Sequence, residues 1–163
     1  NVSFDNDKLK SVKSAQSTRI SVKVIVDGKI GSSHTTDIND GDGVVARALE
    51  AAAFGSPAYF TFPEATKGPD VKIYDQAVLP VTKEEMVRLG EEMMETVKTY
   101  NSDILVSAGI KKGHSQREFA NSSGTTYTTE MTSFGLGVHG QWVRGTDILM
   151  AGHSFGWKKY REL

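Results

Sequence analysis

Residues 20–31 (ISVKVIVDGKIG), followed by 37–43 (DINDGDG) and 44–54 (VVARALEAAAF), decide the fold class. Ile20, Val22, Val24 and Val26 alternate with Ser21, Lys23 and Ile25, the period of two that gives a strand one apolar face. Asp27-Gly28 is a strong hairpin signal, because a two-residue turn needs positive φ and these residues tolerate it. The chain returns along residues 29–36. Asp42 is placed to cap the helix that follows by accepting from free backbone amides. That helix is expected to bury Val45, Ala48, Leu49 and Ala52, which share one side at helical spacing. Gly55 and Pro57 end it.

Working outward, residues 2–4 and 9–15 read as short polar strands around an Asn6-Asp7 turn, forming a solvated edge region. Residues 56–81 hold all four prolines and are expected to cross the domain as an extended segment. Such a segment needs anchors, for which Tyr59, Phe60, Phe62 and Tyr74 are candidates. A second helix starts at a capping box, Thr82 with Glu85, beside a Val81–Met86 hydrophobic staple. Its stripe is Met86, Leu89, Met93, Val97 and Tyr100, and residues 101–103 end it. The remainder reads as an antiparallel meander of strands over 104–110, 114–120, 125–143 and 148–160. Gly113, the Asn121-Ser-Ser-Gly124 turn and Gly145 separate them. The fold class is therefore α+β: curved antiparallel sheets with two main helices packed on one side.

The chain has 163 residues and a net charge of −1. That length suits one domain with a real core, and the charge offers no field to attract nucleic acid or an anionic membrane. No cysteine is present, which excludes disulfides, thiolate metal sites and cysteine nucleophiles. No apolar run approaches the ~20 residues of a membrane-spanning helix, and no secretory pattern is visible. The cytoplasm is the expected location. The first residue is Asn1 rather than Met, so the chain is expected to be a piece of a longer one.

Several motifs invite chemistry. Gly135-Leu-Gly137-Val-His-Gly140 matches G-x-G-x-x-G, but a dinucleotide site needs a helix next, and Gln141-Trp-Val143 follows instead. Strand glycines that relieve crowding explain the run. Among His34, His114, His139 and His153 no pair has helical metal-site spacing. His139 and His153 would approach each other only if 134–157 form one hairpin, and a third ligand would still be needed. Asp37, Asp40 and Asp42 lack the closing Glu of an EF-hand loop, and turn formation accounts for them. No G-x-S-x-G elbow exists. Asn121-Ser-Ser matches a glycosylation acceptor without any sign of secretion. The acidic face of the second helix (Glu84, Glu85, Glu91, Glu92, Glu95) reads as solvated surface. Lys8, Lys10, Lys13, Arg19 and Lys23 read as edge protection.

Taken in order, residues 9–12 (LKSV), 20–31, 35–37 (TTD), 44–53, Tyr74-Asp75, 80–85 (PVTKEE) and 121–124 (NSSG) resemble the amino-terminal domain of the PmbA/TldD family, also described as candidate modulators of DNA gyrase. The resemblance runs over nearly all of residues 1–163. Ser21 and Lys23 stand where the family more often shows Gly and Arg, and Ser32 where an aromatic is common.

The resemblance implies two-subunit assemblies in which TldD-like chains are zinc metallopeptidases that mature or degrade peptides, while PmbA-like (TldE-type) partners are inactive. The family's metal motif, a helical His-Glu followed by a second His, lies in the carboxy-terminal half. This chain has no His-Glu dipeptide, so no catalytic, cofactor or metal residue carries over to it. Zinc would belong to the carboxy-terminal part of a parent protein. The implied role is that of a scaffold and substrate-cleft domain, inactive alone. Its partners would be a homo- or heterodimer subunit of the same family and unfolded peptides, not nucleic acid or membrane. A sheet edge that accepts a peptide by strand addition would suit varied unfolded substrates. The alternative is a non-enzymatic interaction module that touches a gyrase regulator.

Overall fold

The computed structural model describes residues 1–65, 68 and 71–158. Ten elements follow each other: β1 (Val2–Asp5), β2 (Lys8–Val12), β3 (Ile20–Val26), β4 (Lys29–Thr35), α1 (Gly41–Ala53), a 3-10 turn (Gln76–Val78), α2 (Lys83–Tyr100), β5 (Leu105–Ala120), β6 (Thr126–Arg144) and β7 (Asp147–Trp157). They form two units. The described residues of the first are 1–14, 68, 71–119 and 126–158, and those of the second are 15–65 and 120–125. The expected α+β class holds, with antiparallel sheets and each long helix packed against the sheet of its own unit.

The second unit is the hairpin β3–β4 backed by α1. Asp27 and Gly28 both take positive φ (48° and 73°) at the turn, as a tight primed turn requires. Pairing runs unbroken from Ile20↔Thr35 to Val26↔Lys29. Gly31 is the point of closest approach, where a Cβ would stand 2.0 Å from the Ala48 carbonyl oxygen. This closeness narrows the buried stripe of α1 to Val44, Ala48 and Ala52, with Val45 and Leu49 exposed. The expected stripe is thus rotated: Val44, Ala48 and Ala52 at i, i+4 and i+8 face inward, with the two alanines where Gly31 comes closest. Asp42 does not cap. Asp40 holds the N-cap position without a side-chain capping bond, and its carboxylate pairs with Arg47 at 2.6 Å. The turn after β5 also belongs to this unit. Asn121 accepts from the Ser123 and Thr125 amides and donates Nδ2–H to the Pro63 carbonyl at 3.0 Å. The amide that glycosylation would need is therefore committed to the fold.

The first unit is a five-stranded sheet in the order β2-β1-β5-β6-β7. The amino-terminal strands are not both edge. β1 lies inside the sheet, and its Val2 and Phe4 are buried; only β2 is an edge. Gly113 does not break β5, which continues through it to Ala120. One sheet face, with Phe4, Val106, Ile110, Phe134 and Leu136, receives Met86 and Leu89 of α2. Burying each of these two α2 side chains stabilises by about 1.5–3 kcal/mol. Thr82 Oγ1 accepts from the Glu85 amide at 3.1 Å, and Val81 and Met86 are both buried beside it, so the expected cap and staple are present. The stripe stops short of Tyr100, which is 87% exposed at the last helical position.

Of the four expected aromatic anchors only Phe62 is half-buried, edge-on to Phe60. Tyr59 is 92% exposed, and Phe60 and Tyr74 are also open to solvent. Backbone bonds hold residues 73–81 instead. The Thr132 amide donates to the Ile73 carbonyl, the Asp75 amide donates to Thr132 Oγ1, and Lys112 Nζ reaches the carbonyls of Leu79 and Val81. The part of the crossing segment at 66, 67, 69 and 70 lies outside the described residues, as does the expected strand end at 159 and 160.

A polar clasp ties the start of the sheet to the end of α2. Asp7, at φ 64°, donates its amide to the Val106 carbonyl and accepts from the Val106 amide, both at 2.9 Å. Its second carboxylate oxygen lies 2.6 Å from Lys98 Nζ, which also donates to the Ile104 and Ser102 carbonyls. Desolvation, the largest influence, pushes the Asp7 carboxyl upward. The Lys98 ammonium and the Val106 amide outweigh it together, leaving the pKa below its ordinary 3.8. A carboxylate with a lowered folded-state pKa stabilises above its unfolded value, and that stability is lost as pH falls through the folded value. Lys98→Met is expected to cost about 1 kcal/mol at neutral pH, discounted for partial exposure. It should also flatten the acid-side loss below pH 3.8. Urea unfolding of both proteins across that range measures both effects.

Candidate functional site

In an antiparallel sheet directly paired residues share a face. With Val2, Phe4, Val106, Ala108, Ile110, Phe134 and Leu136 committed to the core, the intervening positions define the opposite face. On β5 these are Ser107 and Gly109, on β6 Gly135, Gly137 and His139, and on β7 Gly152 and Ser154. The result is an open groove of about 630 Å³, lined by residues 107–109, 137–139 and 152–154. Its floor is mostly backbone, because glycine and serine leave little side chain above the sheet.

Each glycine has a local reason. A Cβ at Gly135 would stand 3.2 Å from the Phe155 carbonyl oxygen, and one at Gly137 would stand 3.2 Å from Ser154 Cβ. A Cβ at Gly152 would meet His139 Nδ1 at 2.7 Å, so Gly152 makes room for that imidazole. Gly140 faces Ile104 Cγ2 at 2.8 Å. The G-x-G-x-x-G run is therefore strand sequence shaped by close neighbours, with β7 rather than a helix after it. Gly109 differs: nothing lies within 4 Å of where its Cβ would be. It opens onto the groove without being required by packing.

At the groove's margin Ser107 Oγ donates to Asp5 Oδ1 at 3.2 Å, and Lys10 pairs with Asp5 at 2.8 Å. The bonds from Lys10 and then Ser107, with the Lys10 charge, hold the Asp5 carboxyl below its ordinary value. It stays ionised at neutral pH, an acceptor rather than an acid.

The histidines do not converge. Val138 pairs with His153 and His139 with Gly152, so the two imidazoles project from opposite faces of one hairpin. His153 instead packs edge-on against Phe155, centroids 4.1 Å apart. His114 bonds Glu130 at 2.7 Å and lies edge-on to Tyr74. His34 pairs with Ser21 in the second unit. Asp37 accepts from the Asn39 amide, a local turn bond, and Asp40 is held by Arg47. Among the described residues no three His, Asp or Glu side chains gather as a metal cradle. The groove can therefore hold an extended chain close to the sheet.

Sequence reading missed this face. Its signal was present, as Gly and Ser at every second position of 107–109, 133–137 and 152–156. Without the pairing register those positions cannot be assigned to one surface.

Residues 1–54 match the family model described as PmbA/TldA metallopeptidase domain 1. Among curated proteins none matches the chain. Solved structures share the fold. A candidate modulator of a DNA gyrase from Thermotoga maritima MSB8 superposes over 99% of this chain with a TM-score of 0.83 at 16% identity. TldE from Thermococcus kodakarensis does so over 95% with 0.80 at 12%. A candidate modulator of DNA gyrase from Bacteroides thetaiotaomicron VPI-5482 covers 95% with 0.74 at 17%. The chain spans 36% to 37% of the length of these three.

Proposed function

We propose that this chain is an amino-terminal domain of the PmbA/TldD family and serves as the scaffold and substrate-facing domain of a PmbA/TldD-type metallopeptidase. Bond cleavage and zinc belong to a carboxy-terminal part of the parent protein, acting on peptides in the cytoplasm. The observation that carries the reading is the groove of about 630 Å³ over β5, β6 and β7, floored by Gly109, Gly137 and Gly152. Where a strand lacks side chains, a second backbone can approach closely. A surface that contacts backbone rather than side chains suits a peptidase of broad, unfolded substrates. The peptide would lie on this face of the sheet, in contact with its backbone, rather than add as a strand at an edge.

The test is Gly109→Leu in the complete parent protein. The new side chain meets no neighbour within 4 Å at its Cβ, so it fills the groove while leaving packing and zinc content unchanged. Chelator-sensitive hydrolysis of an unfolded peptide is expected to lose at least about tenfold in kcat/KM, about 1.4 kcal/mol of transition-state binding. Unchanged hydrolysis would remove the groove from the reaction. Chelator-sensitive hydrolysis by the 163-residue chain alone would overturn the scaffold reading. Partner binding retained by a parent that cleaves nothing would favour an interaction module.

A further inference from the structure

The hairpin β3–β4 has two faces. Gly31 and its partner Val24 turn toward α1. Ser21, Lys23, Ser32 and His34 are out of step with them by an odd number of residues, so they share the outer face. All four are exposed, and none of their side chains has a hydrogen-bond or ionic partner among the described residues. They surround a depression of about 240 Å³ lined by residues 21–23 and 32–34. Ser21 stands opposite His34, and Lys23 opposite Ser32. Four donor-bearing side chains therefore meet over a spot about 5 Å by 7 Å. Asp and Glu outnumber Lys and Arg in the chain, 20 to 19, yet neither β3 nor β4 carries a carboxylate. Elsewhere in this unit Lys29 donates to the Ala53 carbonyl and Arg47 pairs with Asp40. Edge protection accounts for a lysine on β3, but not for the hydroxyls and the imidazole gathered around it.

We propose that this outer face of the hairpin binds the phosphate group of a small soluble phosphomonoester. Lys23 supplies the positive charge, the Ser21 and Ser32 hydroxyls donate from the two strands, and His34 donates a ring N–H. A phosphomonoester carries a charge of about −1.5 to −2 and three strong acceptor oxygens. That answers a set of donors with no anion of its own. A carboxylate offers only two oxygens and a single charge. A nucleic acid needs a succession of cations along its backbone. Here the next outer pair toward the turn is Ile25 with Ile30, both half-buried, so the face holds one phosphate rather than a track of them. The site belongs to the hairpin–helix unit and goes beyond the peptidase reading; neither depends on the other.

The complete parent protein is the material for the test, because whatever else it packs on the hairpin is then in place. The probe is glycerol phosphate, followed by its phosphorus NMR line. Saturable broadening is expected with a Kd of about 1 mM, the weak affinity of a solvent-open site. Lys23→Met should weaken binding at least about tenfold, the loss of a charge-assisted bond, and Ser32→Ala about threefold, the loss of a neutral one. Lys23→Arg should keep most of the affinity. Both positions are exposed, so the circular dichroism of all three variants should match wild type. Broadening that never saturates would sink the proposal. Equal binding by wild type and Lys23→Met would sink it too, by placing the anion elsewhere in the parent. Lys23-dependent pelleting with phosphatidic acid vesicles would replace the soluble ligand by a membrane and overturn the assignment. Lys23-dependent retention of a single-stranded oligonucleotide would do the same in favour of nucleic acid. Gly109→Leu should leave phosphate binding unchanged, so the groove reading and this one fail separately.

Discussion

Gly31→Ala is expected to unfold the hairpin–helix unit. The added Cβ would lie 2.0 Å from the Ala48 carbonyl oxygen, 2.6 Å from the Ala52 nitrogen and 2.8 Å from Ala52 Cβ. Two of these three atoms are helix backbone and cannot rotate away as a side-chain tip would. Relief requires α1 to move off the hairpin, exposing Val44, Ala48 and Ala52, which are all buried now. Overpacking of a close-packed contact typically costs 1–3 kcal/mol, and a backbone clash belongs at or above the top of that range, about 3 kcal/mol or more. Circular dichroism in urea, with amide shifts of residues 20–54, measures it. Gly41→Ala is the control, since nothing stands within 4 Å of a Cβ there, and it should move stability by less than about 0.5 kcal/mol. If Gly31→Ala costs no more than Gly41→Ala, the approach of α1 to β4 is wider than described.

Gly90→Val is the second large effect, and here two influences oppose. Glycine inside a helix is disfavoured by about 1 kcal/mol relative to alanine, so replacing Gly90 in the middle of α2 should help the helix alone. Packing decides otherwise. A Cβ at Gly90 would stand 2.2 Å from Phe4 Cε2 and 2.9 Å from Ile110 Cδ1. Phe4 is only 4% exposed and Ile110 fully buried, so neither ring nor methyl has free space to take. Alanine should lose about 1–2 kcal/mol net, and valine, with two further methyls, about 3 kcal/mol or more. Phe4→Leu is expected to recover part of the Gly90→Ala loss. A double-mutant cycle with a coupling near zero would show that the ring is not what fills the space over Gly90.

Both glycines show what could be read in advance. Alternation over 20–26 and Asp27-Gly28 located β3, β4 and the turn to within one residue, because pairing period and turn chemistry are local. Thr82, Glu85, Val81 and Met86 located the start of α2 for the same reason. The side of α1 that faces inward was misjudged. Val45 and Leu49 are apolar too, yet the inward side is the one whose Ala48 and Ala52 let Gly31 approach the helix backbone. The aromatics at 59–74 suggested anchors, whereas residues 73–81 are held by backbone bonds to Thr132 and by Lys112. No side-chain pattern encodes those bonds. The edge or interior position of β1 likewise depends on β5, whose pairing residues Ala108 to Ile110 lie about a hundred residues away in the chain.

Local sequence by itself determined the element types, most of their ends, the α+β class and the likeness to a family domain. These depend on periodicity, caps and turns acting over a few residues. Only the tertiary structure decided which strand positions share a surface, and so revealed the glycine–serine groove. The reason is register: sliding one strand by a single residue moves every side chain to the other face, and long-range pairing fixes that slide.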